Sequence, residues 1–228
     1  VERFGLAEAV ATGSGWTIAT NGEVALGGAP QGGLRWPSDA PQLGVHNRLN
    51  ALAAIAAARH AGVPVGRSLD ALAAFRGVAR RMELRGRAGG VAVHDDFAHH
   101  PTAISTTIGG LRQAVGAARI LAVLEPRSNT MKLGAMKERL AASLGGAERT
   151  HCYAANLGWD AAAALAPLGA RASVHDDLDD LVDAVVREAR PGDHVLVMSN
   201  GGFGGVHGKL LAALRARQGA APAREASG

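Results

Sequence analysis

VAVHDDFAHHPTAI, residues 91–104, passes from an unbroken apolar run through two carboxylates and two histidines to a proline. Beyond Pro101 the apolar residues take helical spacing, so the segment reads as a buried strand, a polar loop and a helix start. The same sequence of events recurs down the chain. Apolar runs lie at RILAVLE (119–125), THCYAA (150–155), ASVHD (172–176) and HVLVMS (194–199). Helically spaced stretches lie at 102–115, 134–144, 159–168, 177–190 and 206–217. Strands alternating with amphipathic helices predict right-handed βαβ units and a parallel sheet covered on both faces, a doubly wound α/β fold. In such a sheet ligands bind beyond the carboxyl ends of the strands. DDFAHHP, EPRSNTMK and SNGGFGG all fall there, so three segments distant in sequence should meet at one rim.

The first 90 residues have a different texture. WTIAT-NG-EVAL (16–26) predicts a hairpin, because Asn-Gly supplies the positive φ angles of a two-residue turn. GVHNRLNALAAIAAARHAGV (44–63) predicts a helix, and SLDALAAF (68–75) a shorter one capped by Ser68. Composition changes at LRGRAGG, which places a boundary near residues 84–90. The tail after Gln218, GAAPAREASG, reads as disordered.

Composition narrows the function classes. The 228 residues are 47% hydrophobic, with 31 glycines, which fits a globular chain. A single cysteine, Cys152, excludes an internal disulfide and suits a reducing cytoplasm. No signal peptide opens the chain, and no apolar run is long enough to span a bilayer. Val1 at the start points to processing or to a cut from something longer. The 24 basic residues outnumber 20 acidic ones only slightly, and aromatics are 4%, too few for base stacking. A nucleic-acid partner is therefore not expected.

Each motif carries two readings. In DDFAHH, Asp95 and Asp96 either end a strand or offer a carboxylate to a ribose diol, and the two readings are nearly even. Adjacent histidines seldom converge on one metal, and no cysteine or H-x-x-x-H pattern supports such a site. In HNRLN (46–50), Asn47 and Asn50 share a helical face and could pair with an adenine edge, though a helix cap is the plainer role for Asn47. Arg80 and Arg81 are suited to phosphate or are simply a solvated pair. EPRSNTMKLG (125–134) gathers Arg127, Ser128 and Lys132 before a helix, a grouping fit for a carboxylate or phosphate. SNGGFGGVHGKLL (199–211) could cradle an anion, but it is not a Walker A loop because Lys209 is followed by Leu210.

The order of these motifs resembles the Mur ligase superfamily: HNRLNALAAIAAA, then F-x-G-V-x-RRME, then DDFAHHPTAI, EPRSNTMKLG and MSNGGFGGVHGKLL. Within it the sequence looks most like the murein peptide ligase branch, over residues 1 to about 215. The resemblance implies that residues 1–84 form the second half of a central ATP-binding domain and 85–217 a Rossmann-like C-terminal domain, with LRGRAGG as the hinge between them and 218–228 as tail. It implies ATP and Mg2+ as cofactors, and UDP-N-acetylmuramate and the tripeptide L-alanyl-γ-D-glutamyl-meso-diaminopimelate as substrates. The lactyl carboxylate would take the γ-phosphoryl group, and the peptide amine would displace phosphate to give an amide. His46, Asn47, Asn50, Arg81, Asp95, Asp96 and His99 would face the nucleotide. Arg127, Ser128, Asn129, Thr130, Lys132, Ser199, Asn200 and Phe203 would face the peptide. The family's phosphate loop and magnesium ligands would lie upstream, so no catalytic or metal residue is expected in these 228 residues, and no activity from them alone. A cytoplasmic location and a full-length monomer away from membranes complete the expectation. The alternatives are the L-alanine-adding ligase, another Mur-type amide ligase, or a non-catalytic nucleotide- or peptide-binding module.

Overall fold

Leu196 and Met198 enter one apolar core while Val195 and Val197, on the same strand, enter another. A strand whose two faces are both buried needs an apolar residue at every position, which is why HVLVM does not alternate with polar residues. The structure is a computed structural model describing residues 3–6, 15–18, 23–26, 29–35, 45–75, 78–128, 133–134, 136–155 and 157–220. The chain divides into two compact units, residues 1–77 and 78–228.

The second unit holds a six-stranded sheet. Its strands are β5 (Glu83–Ala88), β6 (Val91–Asp96), β7 (Ile120–Leu124), β8 (Arg149–Tyr153), β9 (Ala172–His175) and β10 (His194–Met198). Their spatial order is β5-β6-β10-β7-β8-β9, all parallel except β5, which runs antiparallel to β6. Helices α3 (Pro101–Val115), α4 (Lys137–Ser143) and α5 (Ala161–Leu165) pack on one face through Ile104, Ile108, Leu111, Leu140, Leu144 and Leu165. Helices α6 (Leu178–Glu188) and α7 (Val206–Ala220) pack on the other through Leu181, Val185, Val206, Leu210 and Leu214. Burying each such side chain contributes about 1.5–3 kcal/mol, so the two cores dominate stability. This is the doubly wound α/β architecture that the apolar rhythm predicts.

The stretch read as a hinge forms a hairpin. Gly89 (φ +58°) and Gly90 (φ +74°) form the two-residue turn joining β5 to β6, and β5 extends across the boundary drawn at 84/85. A Cβ on Gly90 would stand 2.9 Å from Pro191 Cβ, so glycine is required there by packing as well. At the far end, α7 continues through Ala220, past the point where the tail was expected to begin; residues 221–228 lie outside the described set.

In the first unit, β2 (Gly15–Ile18) and β3 (Glu23–Leu26) pair antiparallel, as the hairpin reading requires, and the turn between them lies outside the described residues. Two further strands, β1 (Arg3–Leu6) and β4 (Ala29–Arg35), complete a four-stranded sheet. Helix α1 (Val45–His60) packs Leu52 and Ile55 against Leu69 of α2 (Val65–Ala74). Ser68 is not a cap: α2 starts one turn earlier, behind Pro64, and Ser68 sits inside it with its backbone N donating to the Pro64 carbonyl. Asn47 likewise lies within the first turn of α1.

Two buried histidines set an acid limit. His94 on β6 stacks on His194, with ring centroids 5.3 Å apart and Nε2 3.0 Å from His194 Nδ1. Burial, then the His194 and Arg87 charges, pushes the His94 imidazole down to about 4. His151 on β8 is pushed down to about 4 by burial foremost, against the pull of Glu188. The unfolded rings, near 6.5, bind protons that the folded rings refuse. Their contribution is therefore constant above that value and is lost as pH drops from 6.5 towards 4. Urea unfolding should show each histidine removing about 2 kcal/mol between neutrality and pH 5, with His94→Gln and His151→Gln each flattening the slope. A pH-independent midpoint over that range would contradict this.

Candidate functional site

Strands β6, β10 and β7 are neighbours in register, Met198 standing beside both Asp96 and Leu124. Their carboxyl ends are therefore level. The chain leaves β6 and β7 towards α3 and α4 on one face, but leaves β10 towards α7 on the other. Connections that part in opposite directions open a crevice at the strand ends. Backbone bonds stitch its floor: Ser199 N donates to Asp96 O at 3.1 Å and Glu125 N to Met198 O at 3.1 Å. DDFAHHP, EPRS and SNGGFGG thus meet at one rim.

On the β7 side of the rim, buried Ser199 donates its hydroxyl to Glu125 Oε2 at 2.5 Å and accepts from Gly201 N at 2.9 Å. The exposed Arg127 guanidinium lies directly across Gly201, where a Cβ would come within 2.7 Å of its Cδ and 2.8 Å of its Cζ. A cavity of about 300 Å³ opens here, with Glu125 and Arg127 at its polar end and Tyr153, Leu157, Leu178 and Phe203 as its apolar wall. Phe203, 1% exposed, is held at φ +42° with its ring 5.7 Å from Tyr153. One cation beside one anion, backed by an apolar wall, suits a ligand with carboxylate and ammonium groups on an aliphatic stem.

The β6 side is more tightly bound up. Asp96, 4% exposed, accepts from Met82 N at 2.8 Å through Oδ2, and from Ala98 N at 2.8 Å and Thr107 Oγ1 at 3.2 Å through Oδ1. These three bonds occupy most of its acceptor capacity within the protein. Asp95, also buried, stands 3.5 Å from Arg80 Nε and 3.3 Å from His207 Nε2. Burial foremost holds the His207 imidazole below its ordinary range, with Asp95 opposing. His99 contacts the Phe97 carbonyl, and the exposed Arg81 guanidinium lies 5.9 Å from the centre of the Phe97 ring.

Of the residues singled out from sequence, the rim brings together Arg81, Asp95, Asp96, His99, Arg127, Ser128, Ser199, Asn200 and Phe203 on the ends of β6, β7 and β10 and the segments flanking them. Asn129, Thr130 and Lys132 lie outside the described residues. Asn47 and Asn50 lie one turn apart on α1 of the first unit, where only the backbone of His46 is described. Among the described residues, no three His, Cys, Asp or Glu side chains cluster to hold a metal ion. Sequence reasoning passed over Glu125, Tyr153, Leu178 and the contacts of Arg80. Glu125 stood at the head of the quoted EPRS segment, but nothing local reveals its bond to Ser199, 74 residues away.

Comparison with known proteins shows the family of the chain. A UDP-N-acetylmuramate–L-alanyl-γ-D-glutamyl-meso-2,6-diaminoheptandioate ligase of Escherichia coli K12 is 51% identical over 197 residues, 86% of this chain and 42% of its own length. A UDP-N-acetylmuramate–L-alanine ligase of Mycobacterium marinum is 35% identical over 184 residues, 76% of this chain and 38% of its own. The crystal structure of a murein peptide ligase from Psychrobacter arcticus superposes with a TM-score of 0.66 at 35% identity, covering 93% of this chain and 46% of that one. The chain thus spans less than half the length of these relatives. The family model described as Mur ligase, glutamate ligase domain, matches residues 80–201, more than half of the chain, including DDFAHHP, EPRS and the first three residues of SNGGFGG. The chain belongs to the Mur ligase family.

Proposed function

We propose that this chain supplies the amine-binding part of an ATP-dependent amide ligase that joins L-alanyl-γ-D-glutamyl-meso-diaminopimelate to UDP-N-acetylmuramate, returning cell-wall peptide to peptidoglycan precursor. The observation that carries the reading is the rim cavity, with Arg127 and Glu125 at its polar end. Identity of 51% over 86% of the chain to a peptide-adding ligase, against 35% over 76% to an L-alanine-adding one, favours the peptide as amine donor. Residues 1–77 would belong to the ATP-binding domain and 78–220 to the C-terminal domain, in a cytoplasmic enzyme that acts as a monomer without nucleic acid or membrane.

In this reading Arg127 forks onto a peptide carboxylate, Glu125 takes the neighbouring ammonium, and the apolar wall holds the aliphatic stem. Fixing the peptide in this way aims its free alanine amine at the acyl phosphate formed from ATP. The C–N bond forms as the C–O bond to phosphate breaks, and the nitrogen gives up a proton. Arg81 would face phosphate oxygens, with Asp95 and His99 close by. Asn47, Asn50 and His46 would line the adenine side. Mg2+ would enter with ATP, whose phosphates supply part of its coordination. Calorimetric titration tests the assignment: the tripeptide is expected to bind this chain saturably, and free L-alanine at the same concentrations is not. Equal binding of both, or of L-alanine alone, would redirect the assignment.

A further inference from the structure

We infer that Arg80 is a positioning residue for the peptide site, tying the turn at 199–201 to the segment that enters the second unit. Its Nη2 donates to the carbonyls of Ser199 at 2.6 Å and Gly201 at 2.8 Å, across 119 and 121 residues of sequence. Its Nε faces the buried carboxylate of Asp95 at 3.5 Å, and its Cζ lies 5.3 Å over the Phe97 ring. One nitrogen thus grips both ends of a three-residue turn while a second faces Asp95, two places that the single nitrogen of an ammonium group cannot fill together.

The backbone of Arg80 is held as firmly as its side chain. Arg80 and Met82 adopt φ of +58° and +53°, left-handed values that disfavour ordinary side chains. Three bonds hold them there: Arg80 N to Glu83 Oε2 at 2.8 Å, Met82 N to Asp96 Oδ2 at 2.8 Å, and Phe97 N to Arg80 O at 2.9 Å. The guanidinium is therefore delivered from a fixed point.

What it fixes is the bed of Arg127. The Gly201 carbonyl that Arg80 holds belongs to the residue on which the Arg127 side chain lies. Ser199, whose carbonyl takes the other bond, donates its hydroxyl to Glu125. Contact passes from Arg80 through a single turn to both charged groups at the polar end of the cavity.

The consequence for affinity rests on the peptide-binding reading above, but the tie itself can be tested without any ligand. In the wild-type chain, nuclear magnetic resonance should show slowly exchanging Arg80 guanidinium protons with Overhauser contacts to residues 199–201, while the exposed Arg81 shows none. Arg80→Lys should keep its melting temperature close to wild type, because positive charge remains beside Asp95. It should nevertheless lose about 10-fold of the Gly201 amide's protection from exchange, and about 10-fold of tripeptide affinity. Absent Overhauser contacts, or Gly201 protection unchanged in Arg80→Lys, would overturn the tie. If the contacts are present and protection falls while tripeptide affinity stays at the wild-type level, the tie exists but does not position the peptide, and the inference fails. If the wild-type chain binds no tripeptide, the functional reading fails while the guanidinium protons still decide the tie.

Discussion

Replacing Arg127 with alanine is expected to weaken tripeptide binding by about 30- to 100-fold, the worth of a bidentate charged pair at a partly solvated site. Arg127→Lys should recover only part of this, since it keeps the charge but loses the planar fork. Neither change should alter folding, because the guanidinium is exposed and rests on the Gly201 backbone without supporting a core. Calorimetry paired with thermal unfolding separates the two effects. A dissociation constant for Arg127→Ala within twofold of wild type would remove Arg127 from the peptide site.

Asp96→Ala is expected to cost about 3–4 kcal/mol of stability, because it strands the buried Ala98 N–H and Thr107 hydroxyl together with the half-buried Met82 N–H. Asp96→Asn tests the same point more finely. Whichever way the amide is turned, its NH2 group faces an N–H donor, either that of Met82 or that of Ala98, so about 1–3 kcal/mol should still be lost. A carboxylate reserved for ribose would behave differently, weakening nucleotide binding while leaving urea unfolding unchanged. Wild-type stability in Asp96→Asn would show that the three hydrogen bonds do not anchor this end of β6. The sequence left the structural and ribose roles of this residue nearly even; its bonding to Met82, Ala98 and Thr107 weights the first.

Much of the fold could be read before any coordinates because the second unit obeys one simple constraint. A strand covered on both faces has no solvent side, so each of β6, β7 and β10 is marked by its apolar run. Elements lacking that constraint were missed. In β5 the sequence ELRGRA includes a glycine and exposed arginines, because an edge strand against one layer of helix needs few apolar positions. In β4 the sequence APQGGLR carries a proline and two glycines, which weaken any strand signal. Ser68 misled because a capping residue type also occurs within helices, and Pro64 had already fixed the start.

The residue pattern alone determined the alternation of strands and helices, the position of the three loops at strand ends, and hence the rim they share, because burial and periodicity act within a few residues of each position. Only the tertiary structure decided which groups at that rim are spent on the protein and which remain open to a ligand. Arg80 and Arg81 are adjacent and chemically identical, yet one grips two carbonyls about 120 residues away and the other stays exposed. Hydrogen-bond partners are assigned by distance in space, and folding brings together groups whose separation along the chain carries no trace of the pairing.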